Sequence, residues 1–133
     1  FPDPIETLVI DSFKKLPELE IGSDSYLVIV TRGHLFDRDV LEQVLRSGAA
    51  YIGMIGSRAK RNLVYAEIMS RGITKEELER VYSPIGTEIG AETPEELAVS
   101  IVGELIKVRS DMYCNGKQVK ECDSTPCCEI RKE

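Results

Sequence analysis

The residues best suited to chemistry run Gly53-Met54-Ile55-Gly56-Ser57-Arg58-Ala59-Lys60-Arg61. Apolar residues give way at Gly56-Ser57 to a helix start, where free backbone N–H groups and the positive end of the helix dipole attract phosphate. Arg58, Lys60 and Arg61 crowd that same first turn, where a cation is normally unfavourable by several tenths of a kcal/mol. An anion bound there explains the crowding; a solvated basic face, with Gly56 serving only the turn, explains it without a ligand. The glycine spacing is not Gly-x-Gly-x-x-Gly, so it specifies no dinucleotide by itself.

A second group, Thr31-Arg32-Gly33-His34, directly follows another apolar run. An arginine there can fork to a phosphate. His34, the sole histidine, suits a donor, ligand or acid/base role near neutral pH, or a loop residue capping carbonyls. A third segment, Pro84 to Pro94, carries Gly86 and Gly90 before a capped helix; unusual backbone angles or a close ligand would both require such glycines, and so would a purely structural connection. Four cysteines (Cys114, Cys122, Cys127, Cys128) cluster at the end. They lack paired C-x2-C spacing, so free or oxidised thiols compete with a metal or cluster site. No nucleophile-base-acid set is readable. Glu95 and Glu96 serve capping, and Thr74 to Arg80 reads as a solvated helix face.

The elements that must position these groups follow from periodicity. Thr7 to Ile10 reads as a short strand, and Ser12 to Leu19 as a helical turn interrupted by Pro17. Tyr26 to Thr31 is β-branched and aromatic with no polar alternation, as in a parallel strand covered on both faces. Asp37 reads as the N-cap of a helix to about Ser47, with Val40, Leu41, Val44 and Leu45 at helical spacing and Gly48 as its stop. Ala50 to Ile55 is a second buried strand, and the helix from Ser57 runs to about Arg71 before Gly72. Thr74 with Glu77 forms a capping box, and Thr93, Pro94 and Glu96 form another. The last helix carries Leu97, Ile101, Leu105 and Val108 on one stripe, widened by Ala98 and Val102. Beyond Asp111 the pattern stops, dividing the chain into a domain over residues 1–110 and a polar cysteine-containing tail over 111–133.

Alternation of strands and helices predicts an α/β fold with right-handed crossovers between parallel strands. Both basic turns then lie at the carboxyl edge of the sheet, where ligands of open parallel sheets bind. Three strands are few for such a sheet and leave bare edges. The expectation is that strands upstream of Phe1 are lost or come from another chain, and a homodimer is a separate possibility. With 133 residues, a net charge of -6 and a pI near 4.9, the chain is an ordinary one-domain protein. That charge argues against a general nucleic-acid or acidic-membrane binder, which would need a basic face. No apolar run approaches the ~20 residues that cross a bilayer, and the opening residues have no signal-peptide pattern. A body without cysteines points to a reducing, cytoplasmic setting.

These motifs together carry a resemblance. Val30-Thr31-Arg32-Gly33-His34 with Asp37, Tyr51 to Arg58 with Lys60, Ser83 to Gly86, and Ile89 to Ile101 with Glu104-Leu105-Ile106 resemble the C-terminal Rossmann domain of the XdhC/CoxI family, over about residues 1–109. Members are accessory proteins of xanthine dehydrogenase and related molybdenum hydroxylases. The resemblance implies a Rossmann-like three-layer domain on a parallel sheet, here without its first β-α-β unit, whose glycine-rich turn ending in Gly-His is not found. It implies a non-catalytic maturation factor that binds the molybdenum cofactor (molybdopterin), supports sulfuration by a cysteine desulfurase and delivers the cofactor to the apo-hydroxylase. Arg32, His34, Gly56, Ser57, Arg58 and Lys60 are the matched positions on the ligand edge, and their assignment to the cofactor phosphate is a physical inference. The alternatives are an NAD(P)-dependent oxidoreductase or nucleotide-binding module, and a pure interaction domain; the dinucleotide glycine pattern and ribose-binding acid are not visible.

Overall fold

A computed structural model describes residues 5–116 of the chain. In chain order it contains β1 (Tyr26–Ile29), α1 (His34–Val44), β2 (Tyr51–Met54), α2 (Arg58–Met69), α3 (Lys75–Leu78), β3 (Val81–Tyr82) and α4 (Pro94–Gly116). The strands form one parallel sheet in the order β1-β2-β3, with Ile29 level with Met54 and Gly53 level with Tyr82. The expected α/β class and parallel sheet are both present, with helices between consecutive strands.

Residues alternate across the sheet, and that alternation builds two cores. Ile29, Ile52, Met54 and Val81 pack with Leu41, Val44 and Leu45 of α1, Val64 and Ile68 of α2, and Leu78 of α3. On the other face Tyr51 packs with Ile85 and Val108, bordered by Tyr26, Ile101 and Leu105. Helices therefore cover both faces, giving three layers. Burying a side chain such as Leu41 or Ile52, both fully enclosed, contributes about 1.5–3 kcal/mol.

Several expectations are corrected. Residues 7–10 form no strand, and Leu8 and Val9 lie exposed: among the described residues no neighbouring strand lies beside them to complete a ladder. The third strand is instead Val81–Tyr82, too short for a periodicity to register. β2 is covered on both faces, but β1 is not: Val28 is 41% and Val30 59% exposed, because α4 packs over the middle of the sheet. Ala98 and Val102 of α4 also face outward. α4 itself continues past Asp111 to Gly116. Thr74 to Arg80 is more than a solvated face: Leu78 is buried, and Arg80 donates to the carbonyls of Leu45, Ser47 and Ala49 at 2.6–3.1 Å, fastening the chain between α1 and β2.

Both capping boxes are formed as read. The Thr74 hydroxyl accepts from Glu77 N while Glu77 accepts from Thr74 N. Thr93 and Glu96 make the same exchange at α4. The Arg46 guanidinium and then the Thr74 N–H hold the Glu77 carboxyl well down, to about 2.

Candidate functional site at the carboxyl edge of the sheet

Parallel register brings the turns after β1, β2 and β3 to one edge of the sheet, the edge expected to bind a ligand. The first turn holds Thr31, Arg32 and Gly33; Gly33, not Asp37, is the N-cap of α1, so His34 is that helix's first residue. The second holds Gly56 and Ser57, and Ser57 caps α2 by accepting from Lys60 N at 3.2 Å. The third begins at Ser83, whose carbonyl accepts from Arg61 at 3.1 Å. Arg61 also lies over the Tyr65 ring, 5.9 Å from its centroid. That pairing explains one of the three cations at the start of α2 without any ligand.

Asp37 does something other than the expected capping. It is fully buried in the first turn of α1. One carboxylate oxygen accepts from Thr31 N at 3.2 Å and from the Thr31 hydroxyl at 2.6 Å. The other meets Lys60 Nζ at 2.5 Å, and the lysine side chain is only 26% exposed. Aspartate before an apolar periodicity is the ordinary sign of a cap, and nothing in the spacing signals a partner twenty-three positions away. Lys60 therefore already has an anion, which explains the second cation.

Gly56 is what lets Lys60 reach it. Its φ of +142° excludes ordinary side chains, and a Cβ there would sit 2.7 Å from Lys60 Cδ. The lysine stem thus folds back across the bare glycine. Of the matched residues, Arg58, Arg32 and His34 remain: all three are exposed, and their side chains have no hydrogen-bond or ion-pair partner among the described residues.

The Pro84–Pro94 segment is tied inward. Gly86 has φ +97°, and a Cβ would collide with Ser100 Oγ. Its N–H donates to Glu104 at 3.0 Å, and that same carboxylate oxygen accepts from Tyr51 Oη at 2.5 Å. Burial, followed by this hydrogen bond, pushes the Tyr51 hydroxyl far above the ordinary tyrosine range. The unusual backbone angles expected there are present at Gly86 and Gly90, and at Gly86 the angle serves contact with α4.

Cys114 is a free, exposed thiol; Cys122, Cys127 and Cys128 lie outside the described residues, as does any metal site built from them. Among the described residues no group of three or more His, Cys, Asp and Glu side chains could hold a metal ion. No helix among them is long and apolar enough to cross a membrane.

Residues 3–105 match the model of the XdhC Rossmann domain. The chain belongs to that family. It is 32% identical over 112 residues to the uncharacterized protein YqeB of Escherichia coli K12, covering 84% of this chain and 20% of that one. It is also 32% identical over 111 residues to a probable xanthine dehydrogenase subunit of Bacillus subtilis 168, covering 82% and 31%. A crystal structure described as a xanthine dehydrogenase, from Bacillus halodurans, superposes with a TM-score of 0.61 at 27% identity, covering 91% of this chain and 32% of that one. This XdhC Rossmann domain thus spans between a fifth and a third of the relatives it matches.

Proposed function

We propose that this XdhC Rossmann domain works in the maturation of molybdenum hydroxylases of the xanthine dehydrogenase type, as the part of an accessory protein that grips the phosphate of the molybdenum cofactor. Two things support the reading: family membership with relatives named for xanthine dehydrogenase, and the chemistry of the carboxyl edge. The observation that carries it is the pair of exposed guanidiniums without a partner among the described residues, Arg32 after β1 and Arg58 at the start of α2. A planar guanidinium matches phosphate geometry better than an ammonium does, and the first N–H groups of α2 add backbone donors. His34 supplies one further donor, while Gly56 and Ser57 shape the turn. The donors fit the phosphate end of the cofactor; when bound, the cofactor would supply the metal and its redox chemistry, and these residues would only bind and orient it.

In this reading the partners are the apo-hydroxylase that receives the cofactor and a cysteine desulfurase that supplies its sulfur, and the domain itself is not catalytic. Isothermal titration of the protein with molybdopterin tests the grip. Arg58→Ala and Arg32→Ala should each weaken binding roughly ten- to a hundredfold, as expected for losing a charge-assisted hydrogen bond of about 1.5–3 kcal/mol. Unchanged affinity in both variants removes the proposal. A parallel titration with NADH separates it from a nicotinamide-binding role.

A further inference from the structure

The contact that the phosphate reading leaves unused is the Asp37–Lys60 pair. A carboxylate fully removed from water is tolerable only when paired and hydrogen-bonded, and Asp37 is both, through Lys60 and Thr31. Thr31 adjoins Arg32 in the turn after β1. Lys60 stands two residues beyond Arg58, and its stem crosses Gly56 in the turn after β2. The pair therefore bridges the two turns that carry Arg32 and Arg58, and it spends the lysine's charge internally. We propose that Asp37 and Lys60 are positioning residues, a buried clamp that holds the Arg32 turn against the Arg58 turn, and that Lys60 is not itself a ligand of the bound anion. The inference deepens the phosphate reading and rests on it for its binding arm alone.

The test uses the whole chain and inorganic phosphate as probe. Amide shifts of residues 32–34 and 57–59 are followed by NMR, and thermal unfolding is recorded on the same samples. Lys60→Met leaves a buried carboxylate without its counter-charge and should lower the midpoint and weaken phosphate binding. Adding Asp37→Asn removes that stranded charge, keeps an acceptor for Thr31, and should recover at least half of the lost midpoint, with a phosphate Kd within threefold of the wild type. Arg58→Ala should lose about tenfold in affinity with its midpoint unchanged. If the double variant recovers its midpoint yet binds phosphate as poorly as Arg58→Ala, Lys60 is a direct ligand and the proposal falls. If the wild type shows no phosphate-dependent shifts, the phosphate reading fails instead, and unfolding alone decides the clamp: recovery in the double variant supports it, and equal midpoints for the single and double variants overturn it.

Discussion

Gly56 illustrates how one residue serves two demands. Its positive φ makes the strand-to-helix turn, and its missing side chain leaves the channel along which Lys60 reaches Asp37. Gly56→Ala should therefore destabilise by roughly 1–3 kcal/mol from backbone strain, with displacement of the lysine adding to it; chemical denaturation with both midpoint and slope measured checks this. The glycine and the basic cluster are both visible in the sequence, and the turn lies where the cluster indicates. The allocation of the three cations is not visible there. Arg61 bonds a carbonyl twenty-two positions on and Lys60 a carboxylate twenty-three back, and pairings at that range belong to the tertiary fold. A dense charge cluster overstates the charge left for a ligand whenever the fold has its own uses for it.

At the scale of elements, periodicity locates α1, α2 and α4, and side-chain caps mark the starts of α2, α3 and α4. Strands are harder. β1 and β2 are apolar enough to declare themselves, whereas β3 is two residues whose pairing depends on the neighbour β2 supplies. Residues 7–10 show the converse, strand-like composition with no neighbour among the described residues to pair with. Arg80 is an element-scale device, since its three hydrogen bonds gather carbonyls after α1 where a cation also suits the helix dipole. Arg80→Ala should lower stability by about 1–2 kcal/mol, and Arg80→Lys should restore less than half, because an ammonium lacks the planar fork. Equilibrium unfolding of the three proteins decides it.

At the scale of the whole molecule, the two groups with the largest shifts among the described residues link stability to pH at opposite extremes. The Tyr51 hydroxyl is raised, so its contribution is complete below the ordinary tyrosine value of 10.0 and is lost as pH climbs above it. Tyr51→Phe should cost about 1–2 kcal/mol at neutral pH through the lost bond to Glu104, and the gap between the two proteins should narrow above pH 10 in unfolding experiments. Glu77 is depressed, so its contribution is complete above its ordinary value of 4.5 and fades as pH falls toward about 2; between those limits Glu77→Gln should flatten the acid limb of stability. The sheet's order carries a last consequence. Each strand's partner is the next strand in the chain, with Tyr26 facing Tyr51 and Ile52 facing Val81, so every pairing closes over a single crossover. A chain emerging from the ribosome can dock each crossover on the strand already made, with β1 as the template and no later segment needed to complete an earlier contact within this sheet. Assembly can therefore keep pace with synthesis, and the carboxyl edge of the sheet is finished one turn at a time.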